Sequence, residues 1–218
     1  MRQLRRFSIC VLLGLVTVHA DAGEVIDRIV ASVNRRVILE SELQLAMAYQ
    51  CLVNQTPCHP EDAGERKAAL DKLIDQSLLE QQMQQAQLAT AVSGDTARLV
   101  ESLKKQILGP ATAEQSWRVT LLRYGLSEED VARQALRQAQ VLRFVDSHFR
   151  GTFHVEESSV DEYYQNVLAP QLRASGEPVP DLPQVADRIR EILAQQEINK
   201  DLPAWLQTLR EQSEVRIR

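Results

Sequence analysis

Apolar and polar positions alternate at the start of the stretch Ile26 to Leu43. Ile29, Ala31 and Val33 are separated by polar or small neighbours, Asn34-Arg35-Arg36 can turn, and Val37-Ile38-Leu39 resumes an apolar run. The pattern predicts two short strands. Two strands alone are marginal in water, so another segment has to pair with them or cover them. From Ser41 the apolar spacing changes to three and four. Ser41 is placed to cap a helix carrying Leu43, Leu45, Ala46 and Met47. A longer helix from about Asp62 carries Leu70, Leu73, Ile74 and Leu78 and ends near Leu88 in a Gln-rich tail, expected to be a solvated face. Ser93 is placed to cap a third helix with Leu99, Leu103 and Ile107, which Gly109-Pro110 stops. Thr112 starts a fourth, with Trp117, Leu121 and Leu122, closed at Gly125.

Ser127-Glu128-Glu129-Asp130 puts a capping hydroxyl before three carboxylates, where the helix dipole favours negative charge. The fifth helix then runs through Val131, Ala135, Leu142 and Phe144 to about Phe149, with Arg133, Arg137, Arg143 and Arg150 on its solvated side. A sixth starts near Ser158 and holds Val160, Tyr163, Tyr164 and Leu168. Gly176-Glu177-Pro178-Val179-Pro180 interrupts the pattern, and Asp181 with Pro183 opens a last helix through Val185, Ile189, Ile192, Leu193 and Trp205. Pro203 is expected to kink or restart it. In Ser213 to Arg218, Val215 and Ile217 alternate with charged residues, the signature of a half-buried strand. That strand is the expected partner of the N-terminal pair, tying the C-terminal helix back onto the N-terminal helices in one mainly α module.

The first residues follow a different logic. Arg2, Arg5 and Arg6 precede an apolar run from Ile9 to Val18, and Ala20-Asp21-Ala22 offers a small-x-small cleavage site, the plan of a secretory signal peptide over residues 1–22. The run has about half the length that a membrane-spanning helix requires, so no membrane insertion is expected after cleavage. Removing this segment, with its three Arg and one Asp, takes the formal charge from −5 to −7. A chain so charged has no bulk attraction to nucleic acid, and no basic run with interleaved aromatics offsets this.

Export would place Cys51 and Cys58 where disulfides persist. On one straight helix their Cα atoms would lie about 10.5 Å apart, beyond the ~4.4–6.8 Å a disulfide spans, so the chain has to turn between them. Asn54, Pro57 and Pro60 supply turn chemistry there. A local bridge is favoured over a metal or redox pair, because neither a second cysteine pair nor a His cluster accompanies them.

No catalytic residue, cofactor or metal ligand is assigned. The chain carries no H-E-x-x-H, nucleophile elbow, phosphate-cradling Gly loop or dinucleotide fingerprint. Glu128, Glu129 and Asp130 are expected to serve the helix start, and His148 and His154 do not share a helix face in a way that suits a common metal. Trp117, Tyr124, Tyr163, Tyr164 and Trp205 lie at apolar helical spacing, which predicts core or interhelical packing.

With these segments laid out, the chain resembles the SurA N-terminal-domain family of periplasmic chaperones. The resemblance rests on IDRIVASVNRRVILESEL, ALDKLIDQSLLEQQMQQ, YGLSEEDVARQALRQAQVLRFVDSHF and VEESSVDEYYQ, and resumes in PAWLQTLREQSEVRIR. It implies a single module over residues 23–218: N-terminal strands and helices over 23–174, a linker over 175–183, and a C-terminal helix and strand over 184–218. Larger family members carry parvulin-type prolyl-isomerase domains ahead of the C-terminal helix. Here the interval Asn166 to Pro183 has 18 residues, too few for a domain, so no isomerase residue is carried over and no enzymatic activity is expected. The loop between the cysteines resembles an insertion peculiar to this chain and is assigned to stability rather than client binding. The implied function is that of an ATP-independent periplasmic chaperone for unfolded polypeptides, with outer-membrane protein precursors as the expected clients. The alternatives are a non-catalytic adaptor for one folded partner and a prolyl-isomerase-associated protein. Client-binding residues and oligomeric state are left open.

Overall fold

The structure is a computed structural model that describes residues 27–86, 96–109 and 114–218. The expected signal peptide, Ser93, Pro110 and Thr112 lie outside them. The fold is mainly α, with a small three-stranded antiparallel sheet. Strands β1 (Ile29–Val33) and β2 (Arg36–Leu39) form the expected hairpin, with Val33 opposite Arg36 and Ala31 opposite Ile38. Asn34 turns it in the left-handed region at φ 55°, which Asn tolerates better than most residues. Strand β3 (Val215–Ile217) lies on the free side of β1, with Val33 opposite Val215 and Ala31 opposite Ile217. The strand order is β2-β1-β3, and the hairpin's missing partner is therefore the C-terminal strand.

Strict alternation fails at one point. The register of β1 against β2 slips between Ile29 and Ala31, and Val30 is buried beside Ala31 and Val33. A bulge adds a residue to one strand and so breaks the period of two. On β3, Val215 packs against the core while Ile217 is exposed, because the helical cover reaches only the first of them.

Helix α1 (Glu40–Asn54) follows β2 directly, one residue before the expected cap. Ser41 does not cap it. The Glu42 carboxylate accepts the Leu39 N–H, and the Asp27 carboxylate accepts both the backbone N–H and the hydroxyl of Ser41. Helices α2 (Ala63–Gln85), α3 (Thr96–Leu108), α4 (Glu114–Arg123) and α5 (Glu128–Arg150) come next. Asp62 caps α2 by accepting the Glu65 N–H at 2.8 Å, and Ser127 with Asp130 forms a reciprocal capping box on α5. Gly109 and Gly125 end α3 and α4 with positive φ.

Helix α6 (Glu157–Tyr163), a π-helical segment (Tyr164–Leu168) and α7 (Ala169–Ser175) follow one another without a break. Pro170, which has no N–H to donate and crowds the carbonyl four residues earlier, comes just after this wider stretch. Gly176 closes it in the left-handed region. Of the kink or restart expected at Pro203, the restart does not occur: helix α8 (Leu182–Glu211) is continuous through it. Leu202, Trp205 and Leu206, on either side of the proline, all pack on the core, and that contact outweighs one lost helical hydrogen bond.

The main core joins the inner face of the sheet (Ala31, Val33, Ile38) to Leu43 and Met47 of α1, Leu73, Ile74 and Leu78 of α2, Phe144 and Phe149 of α5, and Ile198 and Leu209 of α8. A second cluster gathers Leu52 of α1, Val100 and Leu103 of α3, Trp117 and Leu121 of α4, and Val131 of α5. Helices α1 and α5 contribute to both. Leu122 and Leu142, read as apolar stripe residues, are exposed, at 77% and 62%.

Candidate functional site

Helix α1, the loop after it, α2 and α5 enclose a groove of about 580 Å³. Three-and-four spacing on α1 turns Met47, Gln50, Cys51 and Asn54 toward it, and the same spacing on α2 presents Glu65, Ala68, Ala69, Lys72, Leu73 and Gln76. Gln134 and Gln138, one turn apart on α5, form the far wall. Met47 and Leu73 are core residues, so the floor is apolar and held by the packing beneath it.

The remaining wall is the loop closed by the disulfide. Cys51 and Cys58 are bonded, with their Cα atoms 5.6 Å apart. The turn that brings them together begins at Gln55, whose φ of 56° ends α1, and the Thr56 N–H donates back to the Cys51 carbonyl at 3.1 Å. This folds Thr56, Pro57 and His59 over the groove. The loop-closure entropy of so short a ring is worth about 2–3 kcal/mol. Its place as a groove wall was not expected.

The polar lining is dominated by primary amides. Gln50 accepts from Lys72 Nζ at 3.2 Å, Gln76 donates to Glu80 at 2.9 Å, and Gln138 accepts the Tyr49 hydroxyl at 3.4 Å. Burial pushes the Tyr49 phenol above its ordinary range, so it stays a neutral donor at physiological pH. Gln134 differs from the other three. It is only 7% exposed, and no hydrogen bond reaches its side chain from the described residues. Its amide atoms are not among the sealed, unpartnered atoms of the interior, which are Arg36 Nε and Trp117 Nε1. The amide is therefore reached from the groove that it lines.

The other sequence candidates fall elsewhere. Asp130 binds Ser127 and Arg133, and the Ser127 hydrogen bonds, chiefly, hold its carboxyl below the usual range. His148 stacks on Trp205 at 4.1 Å between ring centroids, with Phe149 edge-on to both. Trp117 is fully buried in the second cluster. Among the described residues no three metal-capable side chains converge, and no helix is long and apolar enough to cross a membrane. The Gln-rich end of α2 takes no part in the groove: Gln84 and Gln85 are exposed, and Gln81 binds Ser77 and the Val33 carbonyl. The one signal that could have pointed to the groove is Gln134 itself, a polar residue between the core positions Val131 and Ala135. No protein-family model matches the chain, and no curated protein matches it.

Proposed function

We propose that this chain is an exported, ATP-independent chaperone of the SurA N-terminal-domain type, which holds unfolded polypeptide, foremost outer-membrane protein precursors, in the groove between α1, α2 and α5. The observation that carries this reading is the groove's composition: an apolar floor of Met47 and Leu73 with walls in which five side-chain amides stand beside one Glu, one Lys and one His. A surface of this kind shelters apolar client side chains and offers hydrogen bonds to main chain. Burying one medium-sized apolar side chain is worth about 1.5–3 kcal/mol, so each engagement is weak and reversible. That suits holding and release without a nucleotide cycle. The pairing of β3 with the N-terminal hairpin supports the reading further, since it joins the C-terminal helix and the N-terminal helices in one module.

The protein without residues 1–22, mixed with an unfolded outer-membrane protein at stoichiometric amounts and without ATP, is expected to suppress light scattering from aggregation. It is expected to leave the slow cis/trans relaxation of a prolyl peptide at its uncatalysed rate of tens to hundreds of seconds. No suppression across several clients would sink the chaperone reading in favour of the single-partner adaptor. Faster relaxation would sink the non-enzymatic one.

A further inference from the structure

Resting on the polypeptide-holding reading, we infer that Gln134 recognises the main chain of an extended, uncharged client segment, so that the groove selects backbone conformation rather than side-chain identity. The Gln134 amide is open to the groove and has no side-chain partner among the described residues, so its donor and its acceptor are both free for an occupant in exchange for water. A primary amide presents one C=O and one N–H side by side. In an extended chain the N–H and C=O of a single residue also point to the same side, so one residue of client can give and receive both bonds at once. A helical client has already used these groups internally, and a proline has no N–H to offer.

The rest of the groove favours the same occupant. Lys72 is engaged with Gln50, and Glu65 stands seven residues before Lys72 on α2, so opposite charges border the site and neither sign dominates it. Met47, Ala69 and Leu73 offer room to an apolar side chain that alternates away from the paired backbone groups. Recognition of this kind accepts many sequences and excludes folded ones.

The test uses the protein without residues 1–22 and two capped, fluorophore-labelled probes: a peptide of alternating Val and Ser, and its counterpart with an ester oxygen in place of each main-chain N–H. Fluorescence anisotropy is expected to show the amide peptide binding about two- to tenfold more tightly than the ester. In Gln134→Leu that ratio is expected to fall to about one, with thermal unfolding recorded beside it. Ala68→Trp changes an exposed rim residue and fills the groove without touching the core; it is expected to abolish binding of both probes. An equal amide-to-ester ratio in the parent protein and Gln134→Leu, or full binding by Ala68→Trp, would overturn the inference. If aggregation of an unfolded outer-membrane protein is still suppressed in that case, the holding function stands and only the role of Gln134 falls. If suppression is absent as well, the proposed function fails with it.

Discussion

Asn34 shows how much one turn residue can carry. Its backbone N–H donates to the Glu214 carbonyl at 2.8 Å, its Oδ1 accepts the Glu214 N–H at 2.9 Å, and its Nδ2 donates to Gln81 at 2.8 Å. Glycine would keep the left-handed backbone and lose the side-chain bonds; alanine would lose both advantages. Urea unfolding should therefore place Asn34→Gly about 1 kcal/mol below the parent and Asn34→Ala about 1 kcal/mol below that. Glu40 carries a pH-dependent share of stability. Arg66 and Arg28, at 2.8 and 2.9 Å, hold its carboxyl down at about 2. An unfolded Glu titrates near ~4.3, so the unfolded chain binds the proton first as pH falls. The contribution is complete above that value and disappears as pH drops toward 2. Thermal unfolding of Glu40→Gln should show a deficit of about 1 kcal/mol at pH 7 that closes by pH 2. The hydroxyl of Ser41 invited a cap assignment because capping signals are local. The carboxylate that binds it, Asp27, is fourteen residues earlier and across the hairpin, beyond the reach of a local pattern.

Among the elements, the strands and long helices were legible because their periods are written in neighbouring residues. The bulge at Val30 was not, and neither was the choice between a kink and a restart at Pro203, since both depend on what the far side of the core demands. Strand β3 was legible as a strand and as the hairpin's partner, but Ile217 was expected to share the cover that only Val215 receives. Truncation before Ser213 removes the backbone bonds between β3 and β1, the Glu214 contacts of Asn34 and the packing of Val215. The expected cost is about 2–4 kcal/mol in denaturant unfolding, and unchanged unfolding would mean that the sheet is complete with two strands.

At the scale of the whole molecule, the closure of the N-terminal hairpin by the C-terminal strand followed from matching alternation, whereas the groove did not follow from any pattern. Its walls come from α1, the disulfide loop, α2 and α5, and only the packing of α1 and α5 across both clusters brings them together. Arg210 fastens α8 to α2: its Nε donates to Asp75 at 2.6 Å and Nη2 to the Asp71 carbonyl at 2.9 Å. Arg210→Ala should cost about 1.5–3 kcal/mol in urea unfolding, because charge-assisted bonds on a half-buried side chain are lost; a change below about 0.5 kcal/mol would show that apolar packing alone seats α8. The central position of β1 also has a bearing on the order of events as the chain is synthesised. The strand that completes the sheet is 180 residues away from the turn it grips. Until Glu214 emerges, one edge of the middle strand has its hydrogen-bonding groups unpaired, and the α-helices in between have to form around an unfinished sheet. Local helical contacts can be made early, but this last pairing has to close a loop of 180 residues, so the sheet is completed only after the helices between its strands have been made.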